Sequence, residues 1–91
     1  MIKDKELENY FSNLTQQSIA RLGRIISIKR KNLKWTLDET ARATGISKSL
    51  ISALENSRAK SAPSMLVLTK LIHILDISPN DLMSCFYWKE L

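Results

Sequence analysis

Apolar positions recur at helical spacing along most of the chain, and the clearest pattern lies in the stretch 35–56. Thr36, with Glu39 three residues later, is a capping-box signal that predicts the start of a helix. Gly45 is suited to end that helix, because it has no Cβ to clash in the left-handed conformation. Ser47 is an N-cap candidate for the next helix. The pattern therefore predicts two short helices joined by a tight turn.

Further apolar stripes predict helices on the N-terminal side of this pair. An amphipathic helix is predicted from about residue 5, with an apolar stripe formed by Leu7, Tyr10, Phe11 and Leu14. The stripe continues in phase to Leu22. This segment therefore either extends the following helix, predicted over roughly residues 18–32, or folds back as a separate helix.

The C-terminal part of the chain predicts two more helices and an aromatic tail. Ser64 is the N-cap candidate of a helix whose predicted core stripe is Met65, Leu68, Leu71, Ile72 and Leu75. Ser78 and Pro79 are predicted to begin the next helix, on which Leu82 and Met83 are expected to pack in the core. With few glycines and prolines, the composition favours an all-α domain.

Composition and charge narrow the class of protein. At 91 residues the chain is long enough for one domain. The single Cys85 cannot form an internal disulfide, and no apolar run approaches the length of a membrane span. We therefore expect a cytoplasmic protein with no membrane contact.

The net charge of +5 is concentrated in the middle of the chain. Residues 21–60 hold ten Lys and Arg against three Asp and Glu, whereas the segments on both sides are each slightly acidic. Many basic faces are simply solvated. Here the basic segment coincides with the predicted helix pair, which favours binding to a phosphate backbone. A helix-turn-helix that places its second helix in the major groove of double-stranded DNA fits both observations.

The run from residue 22 to residue 83 resembles the phage-repressor/Cro (XRE) branch of helix-turn-helix proteins. The residues that carry the resemblance are Leu22, Gly23, Ile26, Arg30, Trp35, Thr36, Ala41, Gly45, Ile46, Ser47, Ile51, Ser52, Leu54, Glu55, Asn56, Pro63, Ser64 and the run Leu75 to Ser78. The resemblance implies a five-helix, lambda repressor-like domain over residues 20–83. Residues 1–19 are then an extra N-terminal amphipathic helix, and residues 84–91 are a short aromatic C-terminal tail.

The resemblance also implies which residues contact DNA bases. Simple spacing points Ser47, Lys48 and Leu50 outward on the third helix, whereas the family pattern places base contacts at Lys48, Ser49, Ser52 and Ala53. Lys48 can reach guanine acceptors, the two serines can donate or accept, and Ala53 offers a methyl contact. This row contains no Arg, Asn or Gln. We therefore expect DNA shape or dimer spacing to supply much of the specificity.

Contacts with the DNA backbone are implied at the start of the second helix and in the loop after the third. The residues concerned are Thr36, Leu37, Ser47, Asn56, Arg58 and Lys60. The start of a helix suits this role, because its free amides favour an anion. Many relatives have Gln where this chain has Leu37 and Gly where it has Ser57.

Two further sets of residues are implied to be structural. Arg30 is implied to pair with Glu55, which ties the first helix to the end of the third.

Position 29, usually apolar in the family, is a lysine here, while Ile25 and Ile28 add apolar surface. We expect Tyr10 and Phe11 to cover that surface, within one chain or across a dimer. The alternative is a frayed N-terminal helix.

The aromatic tail predicts a further contact surface, formed by Phe86, Tyr87 and Trp88. In the family, the fifth helix and the residues after it commonly form a two-fold interface. This implies a homodimer on a near-palindromic site with half-sites one helical turn apart. The alternative is that Phe86 and Trp88 pack back onto the first helix.

The sequence contains no paired acid and base, no nucleophile with a base, no glycine-rich phosphate loop and no metal-ligand spacing. We therefore predict no enzymatic activity, no cofactor and no metal. The predicted function is a sequence-specific transcriptional regulator, a repressor that binds an operator as a homodimer with residues 47–55 in the major groove. The alternative is an antitoxin-type module that neutralises a partner protein and autoregulates its operon.

Overall fold

Five α-helices and no strand make up residues 4–86, the part of the chain that the computed structural model describes. They are α1 (Asp4–Asn32), α2 (Leu37–Thr44), α3 (Lys48–Glu55), α4 (Met65–Leu75) and α5 (Pro79–Phe86). The all-α, five-helix fold predicted from the sequence is confirmed. The expected contacts of Tyr87 and Trp88 lie outside the described residues. Within residues 4–86, no helix combines the length and the apolarity needed to cross a lipid bilayer.

The N-terminal amphipathic segment and the predicted first helix form one continuous helix, α1, of 29 residues. It contains no proline and only one glycine, so nothing in its sequence interrupts it. Residues 4–13 are exposed at every position. Of the two arrangements that the apolar stripe allowed, the structure has the extended one.

Because α1 continues, Tyr10 and Phe11 do not cover the apolar surface of Ile25 and Ile28 within one chain. At a rise of 1.5 Å per residue, Tyr10 and Ile28 are separated along the helix by about 27 Å. Tyr10 and Phe11 are each 54% exposed, and their rings contact each other edge to face at 5.3 Å. The expectation of cover within the protomer was therefore wrong.

The core lies where α1 crosses α3 and packs on α4 and α5, with α2 packed on α3 and α4. Its fully buried side chains include Ile26, Ile51, Leu54, Leu71, Leu75, Thr40 and Cys85. The crossing of α1 and α3 is very close at Gly23. A Cβ at that position would lie 1.8 Å from the backbone oxygen of Leu54. Only a glycine leaves room for this approach, which fixes the position of α3 on α1.

Two methionines that the apolar pattern assigned to the core are exposed. On α4, Leu71 and Leu75 are buried, and Met65 is exposed because it lies roughly a quarter turn around the helix from them. On α5, Met83 is exposed, while Cys85, three residues after Leu82, is buried instead. The predicted core stripes were therefore wrong at these two positions.

A salt bridge joins α1 to α5 at the position where the family usually has an apolar residue. Lys29 Nζ lies 3.2 Å from Asp81 Oδ2. Asp81 also caps α5: its amide donates to Ser78 Oγ (3.0 Å), and its carboxylate accepts from the Ser78 amide (3.3 Å). The hydrogen bonds from Lys29 and then Ser78 hold the pKa of Asp81 below its usual value.

Because the pKa of Asp81 is lowered in the folded state, its carboxylate stabilises the fold above the unfolded pKa of about 3.9 and loses that effect as the pH falls through the folded value. We expect Asp81→Asn to lower the melting temperature at pH 7, and the difference from the natural chain to shrink as the pH falls below the unfolded pKa and through the lower folded pKa. Thermal melting followed by circular dichroism from pH 7 to pH 2 measures this. Glu8→Gln, at an exposed position of α1, is the control and should change the melting temperature little at any pH.

Candidate nucleic-acid interface

The candidate interface is built on α2, the turn after it and α3, and local side-chain chemistry sets their ends. Thr36 and Glu39 form a reciprocal capping box: Thr36 Oγ1 accepts from the Glu39 amide (3.0 Å), and Glu39 Oε1 accepts from the Thr36 amide (2.7 Å). Gly45, at φ 72°, ends α2 in the left-handed conformation. Ser47 Oγ accepts from the Leu50 amide (3.1 Å) and caps α3. The two helices therefore begin and end where the sequence predicted.

Two buried threonines hold the turn between α2 and α3. Thr40 Oγ1 donates to the carbonyl of Thr36 (3.0 Å). Thr44 Oγ1 donates to the carbonyl of Thr40 (2.8 Å) and accepts from the Ile46 amide (3.1 Å). Both hydroxyls therefore have partners, which removes the cost of burying them in the core.

An ion pair attaches the far end of α3 to α1. Arg30 Nε lies 2.7 Å from Glu55 Oε2 and Arg30 Nη2 lies 2.8 Å from Glu55 Oε1, so the contact is bidentate. The side chains are only 12% and 7% exposed. The hydrogen bond to Glu55 raises the pKa of Arg30. A third bond, from Arg30 Nη1 to the carbonyl of Trp35 (2.8 Å), extends the contact to the residue before α2's cap.

The outer face of α3 exposes the first of the side chains predicted to contact bases. Ser47, Lys48 and Ser49 are exposed, and Lys48 Nζ forms a surface pair with Asp38 Oδ1 at 3.4 Å. Such exposed pairs stabilise a protein by about 0–1 kcal/mol, so this one is easily exchanged for another anion. Leu50 is half-buried against the core. The interpretation from simple spacing, which pointed Leu50 outward, was therefore wrong.

Farther along α3, Ser52 is the centre of a polar cluster. Its hydroxyl accepts from Arg58 Nη2 (2.9 Å) and from Asn56 Nδ2 (3.3 Å), and its carbonyl accepts from the same amide (2.8 Å). Ser52 lies four residues after Lys48, on the same side of the helix. The guanidinium of Arg58 is therefore held beside the face that carries Lys48. Ala53, next to Ser52, is half-buried.

The loop after α3 brings Arg58 back toward the helix by a turn through Ser57. Ser57 has φ 57°, in the left-handed region, and the amides of Arg58 and Ala59 donate to the carbonyl of Ala53 at 2.8 and 3.2 Å. The sequence signal for this turn was the serine at the place where many relatives have glycine. Sequence reasoning did not find the contact between Arg58 and Ser52, since it joins residues on both sides of the turn.

The other residues predicted to contact the DNA backbone lie near the two ends of the helix pair. Thr36, Asn56 and Lys60 are exposed, and Leu37 is half-buried against the core. The carbonyl of Lys60 accepts from Gln16 Nε2 (2.9 Å), which fastens the loop to α1. The first amides of α2, at Leu37 and Asp38, have no partner within the helix and can receive an anion.

This surface combines a capped, fixed helix with exposed hydroxyls, a lysine and an arginine, which is suited to binding a polyanion. A family model described as helix-turn-helix matches residues 26–82, more than half of the chain. No curated protein and no solved structure matches it. The resemblance found in the sequence is confirmed: the chain belongs to the XRE/lambda repressor-like helix-turn-helix family of DNA-binding regulators.

Proposed function

We propose that this protein is a transcriptional repressor that binds a specific double-stranded DNA operator as a homodimer, with α3 in the major groove. One observation carries the proposal: the exposed face of a firmly seated α3 presents Lys48 and Ser49, with the Arg58 guanidinium beside Ser52. We propose that it acts in the cytoplasm, on the nucleoid of a bacterium or of a phage-infected cell.

The side chains on α3 supply the proposed base contacts. Lys48 exchanges its surface pair with Asp38 for the O6 and N7 acceptors of a guanine. Ser49 donates or accepts at a neighbouring base, and the Ser52 hydroxyl, which already accepts from Arg58, retains its proton to donate. Ala53 contributes a methyl contact. These contacts are few, so sequence-dependent DNA shape supplies the remaining specificity.

The proposed phosphate contacts flank α3. On one side are Thr36, the amide of Leu37 and the hydroxyl of Ser47, close to the positive end of α2. On the other side are Asn56, Arg58 and Lys60. Contacts of this kind fix the position of a protein on the duplex without carrying sequence information.

Reversing the charge at Lys48 is expected to weaken operator binding by about 10- to 100-fold, because a good base contact contributes about 1–3 kcal/mol. Lys48 is 57% exposed, so Lys48→Glu should leave the melting temperature nearly unchanged. Fluorescence anisotropy with a labelled operator measures the affinity. Lys5→Glu makes the same charge change on the first turn of α1 and serves as the control. Equal affinities of the two variants would contradict the proposed role of α3.

Removing the charge at Lys60 is expected to act differently. A phosphate contact contributes the same to every DNA sequence, so Lys60→Ala should weaken operator and random DNA by the same factor. It should also reduce the slope of log affinity against log salt concentration by about 1. Titrations at several salt concentrations measure the slope. A loss confined to the operator would assign Lys60 to base recognition instead.

Selection of bound sequences from random double-stranded DNA tests the whole proposal. The expected result is a near-palindrome whose half-sites are separated by one helical turn, because a two-fold dimer imposes its symmetry on the site. A single, non-repeated half-site would contradict the homodimer but not DNA binding. Recovery of no sequence preference would contradict a specific operator.

A groove in the structure favours a second candidate function, an antitoxin-type module that binds a partner protein. The groove has a volume of about 310 Å³, and its lining is mostly apolar: Phe11, Leu14, Thr15, Ser18, Ile19, Leu22, Ala62, Pro63, Leu68, Leu82, Cys85 and Phe86. Co-expression with a candidate toxin protein tests it. If the protein is an antitoxin, the natural chain and the Lys48→Glu variant should both relieve the toxicity of the co-expressed protein. The Phe86→Asp variant should not relieve it.

A further inference from the structure

The exposed apolar side chains of α1 form two patches, one at each end of the helix. Leu7, Tyr10 and Phe11 are exposed near its start, and Ile28 is 51% exposed near its end, next to the half-buried Ile25. Residues 7, 14, 21 and 28 recur at intervals of seven, which is close to two helical turns, so the two patches share one side of the helix.

The charges of α1 also differ between its ends. The first turn carries Asp4 and Glu6 on either side of Lys5, and the last turn carries Lys29, Arg30 and Lys31. Lys29 and Arg30 pair with Asp81 and Glu55 of their own chain, so the exposed Lys31 is the basic side chain that this turn presents to a partner. Two such helices placed in parallel would bring like charges together at both ends. Placed antiparallel, they bring each acidic turn beside a basic one, and they also oppose the two helix dipoles.

We propose that two copies of this chain pair along α1 in antiparallel orientation, about a two-fold axis near residues 17 and 18. In this alignment Leu7 packs on Ile28 of the partner subunit, and Tyr10 packs on Ile25 of the partner subunit. A two-fold axis repeats each contact, so Leu7, Tyr10, Ile25 and Ile28 of both copies are covered. The inference rests on the homodimer proposed above and names the surface that forms it.

Several observations favour a second copy over another occupant. The alignment that superposes the apolar patches is the same one that places the acidic first turn next to the basic last turn, and both features come from a single helix. The exposed start of α1, residues 4–13, also gains a surface to pack on. A short stretch of helix without such a surface is marginally stable in water.

A charge-exchange experiment tests the alignment. Leu7→Glu and Ile28→Lys are both at exposed positions, so each variant should fold. Each alone is expected to weaken dimerisation by at least about tenfold in sedimentation equilibrium. In an equimolar mixture, one end of the mixed dimer joins the two introduced charges, and the other end keeps the natural leucine and isoleucine. The mixture should therefore dimerise more tightly than either variant alone.

Ser12→Glu, on the opposite side of α1, is the control and should dimerise like the natural chain. Circular dichroism verifies that every variant is folded. The proposal is overturned if the natural chain is monomeric, if either variant dimerises normally, or if mixing restores nothing. These outcomes are separate from DNA recognition, which is measured independently by the selection from random DNA and by Lys48→Glu.

Discussion

Gly23→Ala is expected to destabilise the domain by more than about 3 kcal/mol, beyond the usual range for overpacking. The methyl group would lie 1.8 Å from the backbone oxygen of Leu54, a distance that essentially no Cβ adopts. A backbone carbonyl in the last turn of α3 cannot rotate away as a flexible side chain would. To accommodate the methyl, α1 and α3 must separate, and the buried contacts of Ile26, Ile51 and Leu54 would be lost with them. Urea denaturation followed by circular dichroism gives the free energy of unfolding.

The outcome for Gly23→Ala is informative because helix propensity acts in the opposite direction. In an exposed helix, replacing glycine with alanine stabilises by about 1 kcal/mol. Arg24→Ala, at the exposed neighbouring position, is the control and should change the stability by no more than about 0.5 kcal/mol. A Gly23→Ala protein as stable as the natural chain would mean that α1 and α3 do not cross at this residue.

Glu55→Gln is expected to cost about 3–5 kcal/mol of folding free energy, the range found when one partner of a buried ion pair is removed. Glutamine keeps the shape of the side chain but leaves the Arg30 guanidinium, only 12% exposed, without its counter-charge. The end of α3 would lose its bidentate anchor on α1. Chemical denaturation measures the loss, and a parallel loss of operator affinity would be expected.

Two comparisons make the Glu55→Gln result interpretable. Asp38→Asn breaks the exposed pair with Lys48 and should cost no more than about 1 kcal/mol. The double variant Arg30→Met, Glu55→Met removes both charges and should recover much of the lost stability, because a buried pair can often be replaced by apolar side chains. Equal costs for Glu55→Gln and Asp38→Asn would show that the buried pair does not anchor α3.

Local chemistry made the helix ends of the interface predictable from the sequence. Thr36 and Glu39 are three residues apart, and each side chain accepts a hydrogen bond from the other residue's amide. These bonds do not depend on contacts with the rest of the fold. Gly45 and Ser47 act in the same way, through a backbone conformation and a single hydrogen bond. The pairing of Arg30 with Glu55, 25 residues apart, was implied only by the resemblance to the family.

Features that depend on contacts between distant parts of the chain were not predictable in this way. The apolar stripe before Leu22 suits a continuous helix and a folded-back one equally, and only the position of the neighbouring helices distinguishes them. Periodicity places Met65 and Met83 on apolar stripes, but it does not tell which side of a helix packs against the other helices. The salt bridge from Lys29 to Asp81 joins the first helix to the last.

The two attachments of α3 to α1, at Gly23 and at Arg30, have a consequence for allosteric control. Both attachments lie at the C-terminal end of α3, at Leu54 and Glu55, and the buried side chains of Ile51 and Leu54 hold the helix in the core. The helix therefore cannot tilt without breaking the buried core. An inducer or inhibitory partner therefore has little scope to act by reorienting α3 inside one domain. In the proposed homodimer, control would instead have to change how two whole domains are placed relative to each other, and so the separation of the DNA half-sites they span.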